Sequence, residues 1–162
     1  MRNQALKFAG IITILIVLDQ LSKLYMENHF TFAERLNVFP FFDFILVYNT
    51  GAAFSLAADA GGWQRWGFTA LAFVACGFIL HLFKKTSDRP IYAWALCLIF
   101  AGALGNAIDR IAYGHVIDFL LFYWEPWNFY FPAFNFADCF ITLGTIGVII
   151  EELFFDKKGE KS

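Results

Sequence analysis

Charge is what this chain has least of. Only 16% of its 162 residues are Asp, Glu, Lys or Arg. That is too few to coat a soluble domain of this size with a polar shell. Neither sign dominates: 12 basic residues stand against 14 acidic ones, so no basic face for nucleic acid is expected. Cysteine is scarce too. Cys76, Cys97 and Cys139 each sit inside an apolar run and no two form a CxxC, which reads as inert buried thiols. The three histidines, His29, His81 and His115, have no ligand spacing, so neither a metal nor a cofactor is expected. Ser22, Ser55 and Cys139 have no histidine spaced to activate them as nucleophiles. No internal repeat or low-complexity segment is present.

What is abundant is apolar and aromatic surface: 59% hydrophobic residues, 20% aromatic, and a mean hydropathy of +0.58. The chain therefore reads as an α-helical integral membrane protein, one domain over residues 1–162. Spans are expected at about 8–26, 66–83, 91–108 and 136–155. An 18-residue run reaches ~27 Å as a helix, close to the hydrocarbon thickness. Residues 8–18 resemble a signal peptide, but no small-x-small site follows, so the first span is expected to stay uncleaved. Residues 30–65 break the pattern. Phe42, Phe44, Leu46 and Tyr48 alternate as in a strand, and Trp63–Trp66 reads as an interfacial helical turn. This block is expected to form a small extramembrane sheet and a surface helix. Trp124 and Trp127 suit interface anchors.

Arg2, Lys7, Lys84, Lys85, Arg89, Lys157, Lys158 and Lys161 fall on one side of these spans. Lys23, Arg35, Arg65 and Arg110 fall towards the other. The bias puts both termini in the cytoplasm. Asp19, Asn49, Asn106 to Arg110, Asp118 and Asn135 to Asp138 then all lie at outer ends of elements. Asp19 and Lys23, four apart, share a helix face. They form a self-neutralising pair that eases insertion, a brace for a pocket, or both. Asp109 and Arg110 read as a local ion pair at a helix end, and Asp138 also fits a carboxylate favoured by a helix N-terminus.

Two carboxylates held close cannot both ionise easily, so Asp118 and Asp138 would supply one acid and one base. Asn106 and Asn135 would orient them, and Arg110 would restrain negative charge. Such a pair hydrolyses peptides with neither metal nor covalent intermediate. From the residues alone a proton-coupled transporter stands equal to a hydrolase. A transporter would favour the midplane, with repeats or broken helices. A non-catalytic lipid-binding or assembly subunit would have no reason to bring two aspartates together.

DQLSK (19–23), NTGAAFS (49–55), GALGNAIDR (102–110), VIDF (116–119) and FNFADCFI (134–141) occur in this order. The set resembles the sequence blocks of the lipoprotein signal peptidase (signal peptidase II) family over nearly the whole chain. The resemblance implies a bacterial inner-membrane aspartyl endopeptidase with four spans, a β-cradle and a periplasmic surface helix. Its substrate would be a prolipoprotein whose lipobox cysteine carries diacylglycerol, cut just before that cysteine on the periplasmic side. Membrane lipid is the other expected partner, and a monomer is expected. Asp118 and Asp138 match the catalytic pair. Asp19 and Lys23 match the first block, Asn49 and Gly51 the second, and Asn106, Asp109 and Arg110 the third; Asn135 precedes the second aspartate. These are the expected pocket-shaping residues. Cys139 stands where a small polar residue such as serine is expected.

Overall fold

The computed structural model describes residues 2–51, 63–83, 86 and 89–154. Four helices and four strands follow in the order α1 (Arg2–His29), β1 (Arg35–Phe39), β2 (Phe42–Asn49), α2 (Trp63–Leu82), α3 (Pro90–Tyr113), β3 (Val116–Trp124), β4 (Phe129–Tyr130) and α4 (Phe136–Phe154). Three of the helices are long and apolar enough to cross a membrane, over Ala5–His29, Trp63–Leu82 and Pro90–Tyr113. The fourth, α4, is equally apolar through its middle but carries Asp138 at its start and Glu151 and Glu152 near its end.

Among these helices α3 is the centre, packing against α1, α2 and α4. Small residues make that possible, because lipid tails compete on equal terms with large apolar side chains and close backbone approach decides helix association. A Cβ added to Gly102 would overlap the carbonyl oxygen of Ala137 on α4, and one on Gly144 would lie 2.6 Å from the carbonyl oxygen of Ala95. Gly77, in the middle of α2, has nothing within 4 Å of such a Cβ. The two sites should therefore respond oppositely to alanine. Gly77→Ala gains helix propensity, up to ~1 kcal/mol. Gly102→Ala gains the same but overlaps backbone, an overpacking that costs ~1–3 kcal/mol and should win. Melting in detergent is expected to show Gly102→Ala below the wild type and Gly77→Ala at or above it; the same rise for both would refute the packing account.

At one end of the bundle, Arg89 leads α3 and joins Glu151 (3.3 Å) and Glu152 (3.0 Å) at the end of α4, so the acidic exit of α4 is paired. At the other end α3 continues past residue 108, where the third span was expected to stop, to Tyr113. Gly114 closes it in the left-handed region (φ 85°), its N–H bonding the Arg110 carbonyl. Arg65 adds a second cap, its guanidinium donating to the Ile111 carbonyl at 2.7 Å. The added residues keep Asp109 on a buried helix face rather than in a loop.

The sheet is antiparallel in the order β1-β2-β3-β4. Phe42, Phe44, Leu46 and Tyr48 do share a side: they join Met26 of α1, Ile117, Phe119 and Leu120 in one cluster, with Cys139 against it. On the opposite side Asp43 is buried and held by Arg35, Asn37 and Tyr123, which ties β1, β2 and β3 together. Burial works against the charge of Asp43, but the hydrogen bonds from Asn37, Arg35 and Tyr123 overcome it and hold its carboxyl below the usual range.

Two differences from the sequence reading matter. Half of the sheet comes from residues 116–130, not from the 30–65 block. The strand β3 is buried at seven of its nine positions, so apart from Asp118 it is apolar on both faces and shows no alternation. Trp63–Trp66 is the first turn of α2 rather than a separate surface helix. Residues 52–62, which hold the rest of the NTGAAFS block and the Gly61-Gly62 pair, lie outside the described residues, as do Lys84, Lys85 and the C-terminal lysines.

Candidate active site

Strand β3 and helix α4 bring the two central aspartates together. Asp118 lies on β3 and is 2% exposed, whereas Asp138, in the first turn of α4, is half-buried. Asn135 links them. It immediately precedes α4, and its Oδ1 accepts the Asp138 N–H (3.0 Å) while Asp138 Oδ2 accepts the Asn135 N–H (3.2 Å). This reciprocal arrangement is a capping box, with aspartate in the place of glutamate. The local logic of starting a helix therefore fixes the Asp138 carboxylate. The remaining group of Asn135, Nδ2, donates to Asp118 Oδ1 at 2.6 Å.

The other two asparagines follow the same pattern, each with its oxygen engaged so that its NH₂ must face a carboxylate. Asn49 Oδ1 accepts the N–H of Gly51, and Asn49 Nδ2 donates to Asp118 Oδ2 at 3.0 Å. The β2–β3 register explains the reach: Asn49 opposes Val116 and Val47 opposes Asp118, so Asn49 and Asp118 are diagonal neighbours on one face. Gly51 adopts φ 80°, a left-handed conformation that disfavours any side chain. Asn106 Oδ1 accepts from Lys23 (2.9 Å) and Asn135 (3.2 Å), and Asn106 Nδ2 donates to Asp138 Oδ1 at 2.8 Å. These donors stabilise negative charge, yet they do not win at Asp118. Burial, followed by the neighbouring Asp138 charge, pushes its carboxyl up to about 7 against the hydrogen bonds from Asn49 and Asn135. The geometry thus sets a buried Asp118, its carboxyl made less acidic, beside a half-buried Asp138.

Behind this pair lies a buried ionic group. Lys23 Nζ, 1% exposed as a residue, has three acceptors for its three donors: Asp19 Oδ2 (2.8 Å), Asp109 Oδ2 (2.8 Å) and Asn106 Oδ1 (2.9 Å). Asp19 and Lys23 do pair as their spacing suggested. Asp109 joins them and does not form the local pair with Arg110. Arg110 donates to the Asn106 carbonyl (3.3 Å) and lies over the Phe68 ring at 5.2 Å, within electrostatic reach of Asp138, Asp109 and Asp118. Asp19, Lys23, Asn49, Gly51, Asn106, Asp109, Arg110, Asp118, Asn135 and Asp138 thus fall in one cluster. Gln20 was missed. Its Nε2 donates to Asp109 Oδ1 (2.8 Å), Asp19 Oδ2 (3.2 Å) and the Gly105 carbonyl (3.2 Å). The one available signal was its place in DQLSK beside Asp19.

An apolar cavity of about 300 Å³ is lined by Ser22, Tyr25, Met26, Phe30, Leu36, Phe44, Phe119 and Phe136. Phe119 follows Asp118 along the strand and points to the opposite face of the sheet. Neither Asp118 nor Asp138 lines the cavity, although Phe119 follows the one and Phe136 precedes the other by two residues.

Known proteins are similar to this chain over most of its length. Residues 11–154 match the family described as Signal peptidase (SPase) II. The lipoprotein signal peptidase of Paraburkholderia phytofirmans is 50% identical over 144 residues, covering 89% of this chain and 83% of its own. That of Cupriavidus pinatubonensis is 49% identical over 140 residues (86% and 78%), and that of Neisseria meningitidis serogroup C 45% identical over 148 (91% and 89%). A solved bacterial membrane enzyme superposes with a TM-score of 0.80 at 28% identity, over 96% of this chain and 92% of its own. With the match running from the first helix to the last, and the membrane fold shared, the chain belongs to the signal peptidase II family.

Proposed function

We propose that this protein removes signal peptides from diacylglyceryl-modified prolipoproteins as an aspartic endopeptidase, cleaving just before the lipidated cysteine. The observation that carries the reading is the pairing through Asn135 of a buried, proton-holding Asp118 with a half-buried Asp138. Asp138, the more accessible, takes a proton from the attacking water as its oxygen bonds to the scissile carbonyl carbon. Asp118 gives its proton to the carbonyl oxygen. The resulting gem-diol collapses when Asp138 passes its proton to the leaving amine and one hydroxyl returns a proton to Asp118. The C–N bond breaks, an acid and an amine form, and both aspartates regain their starting states.

In this reading α4 is the fourth span. Its 19 residues reach ~28 Å, and Leu143, Ile146, Ile149, Ile150, Leu153 and Phe154 face outward. Both termini are cytoplasmic, the site faces the periplasm at the outer surface of the inner membrane, and Trp124 and Trp127 (the latter 82% exposed) anchor the sheet at the interface. A C-terminal reporter active only outside the cytoplasm should stay silent; a strong signal would defeat this topology. The function is tested with purified protein in lipid nanodiscs and a diacylglyceryl lipobox peptide. Mass spectrometry should find one cut, ahead of the modified cysteine. No cut, or a cut elsewhere, would overturn the assignment.

A further inference from the structure

We propose that Gln20, acting with the Asp19–Lys23–Asp109 ionic group, is a positioning residue that sets the spacing of the two reactive aspartates. The inference rests on the reading of Asp118 and Asp138 as the catalytic pair. Its basis is where the ionic group's remaining hydrogen bonds go. Asp19 Oδ1 accepts the backbone N–H of Ala137 at 2.9 Å, and Asp109 Oδ2 accepts the backbone N–H of Ile117 at 3.3 Å. Ala137 and Ile117 are the residues immediately before Asp138 and Asp118. Each reactive aspartate is thus held by the main chain one residue upstream, and each hold ends on a carboxylate of the same group.

Those two carboxylates would repel if left together. Lys23 bridges them at 2.8 Å on each side, and Gln20 bridges them a second time from Nε2. Gln20 also donates to the Gly105 carbonyl, and Gly105 has no Cβ because one would lie 2.6 Å from Asp19 Oδ2. Asp19, Lys23 and Asp109 are each 0–1% exposed, so no water can replace a lost contact cheaply. Closely packed groups of this kind move as a unit. A shift of Asp109 relative to Asp19 passes directly to the β3 and α4 backbones and changes the separation of the reactive carboxyls. Lys23 alone would hold the charges together, but through a single point. The second bridge from Gln20 fixes their relative rotation.

Removing Lys23 would strand two buried carboxylates and is a poor test, since the protein would not fold. Gln20→Leu keeps the bulk and removes the donor without touching a charge. On the folded fraction recovered by gel filtration, kcat for the diacylglyceryl peptide should fall about 10–100-fold, the size of effect a displacement near 1 Å produces. KM should stay within about twofold. If Gln20→Leu does not accumulate, Gln20→Asn makes the same test, because it keeps the amide but loses the reach. In the Asp118→Asn background the Gln20 change should cause no further loss, because there is no working pair left to misplace. A Gln20 variant with normal kcat per folded molecule, or with a raised KM at normal kcat, would overturn the positioning role. That outcome beside inactive Asp118→Asn and Asp138→Asn proteins leaves the catalytic pair standing, whereas active aspartate variants would sink both.

Discussion

Asp118→Asn and Asp138→Asn should each lower cleavage by on the order of 10³-fold or more while the protein still inserts and binds substrate. Asparagine matches aspartate in shape but can neither take a proton from water nor give one to the carbonyl oxygen. Both variants keep an acceptor oxygen for Asn135, which bonds each aspartate in the wild type. Each variant also turns an NH₂ towards the amide of Asn49 or Asn106, so substrate binding and melting are measured beside activity, and loss of activity with both intact would report chemistry. The two changes should not add, since a pair that has lost one member has lost its function, and the double variant should be little worse than either single. The pH profile gives an independent check. Asp118, raised to about 7 by burial and by the Asp138 charge, keeps its proton below that value and loses it above. The kcat/KM profile should therefore fall on an alkaline limb near neutrality, a limb that belongs to the coupled pair. Stability has the same sign: the folded chain holds a proton that the unfolded chain releases above about 3.8, so the contribution of Asp118 is full below that pH and is lost as pH rises through about 7. Near-wild-type turnover by either purified single variant would end the two-aspartate mechanism.

The parts of this molecule that local pattern can express were legible in the sequence, and the parts made by distant contacts were not. Long apolar runs marked the three membrane-competent helices because burial in lipid demands mostly apolar surface, and the charges in the first of them are paired inside the fold. The alternation of Phe42, Phe44, Leu46 and Tyr48 marked β2 because only one of its faces meets α1. The β3 strand gave no such signal, being covered on both sides. Asn106, Asp109 and Arg110 looked like the polar exit of a helix, since polar residues mean water in any local reading. Here Asn106 and Asp109 are buried, and what satisfies them is Lys23 from the first helix. The Asp19–Lys23 pair could be read from i,i+4 spacing, but nothing local could reveal Asp109 as the second carboxylate. From spacing alone the aspartates read as two carboxylates at outer element ends, and only the resemblance of the VIDF and FNFAD blocks marked them as a pair. Its geometry depends on Asn135, whose capping role at α4 was not separable from its role beside Asp118 until the fold joined them.

A precursor without the diacylglyceryl group should be cut at least ~10²-fold more slowly than the lipidated one, and the loss should fall mainly on kcat. The obvious argument for lipid dependence does not hold. Each methylene moved from water to an apolar site is worth ~0.8 kcal/mol, but that gain belongs to transfer from water. The apolar segment of the signal peptide already keeps either precursor in the bilayer, where lipid tails and apolar side chains are nearly equivalent partners. The acyl chains therefore add little raw affinity. What they add is depth and orientation. The proposed catalytic pair joins the first turn of α4 to β3 through Asn135, and Leu21, Leu24 and Tyr25 of α1 are exposed. A cysteine tied to two acyl chains is held at that level, whereas an unmodified cysteine in a sliding apolar helix samples many depths. A restricted search raises the fraction of bound substrate whose carbonyl lies between Asp118 and Asp138, which appears in kcat. Additional uniform binding would appear in KM instead. Measuring both constants for the two peptides in the same nanodiscs separates these effects. Equal kcat/KM would remove lipid recognition from the mechanism, and a difference confined to KM would show that the chains act as an anchor and not as a guide.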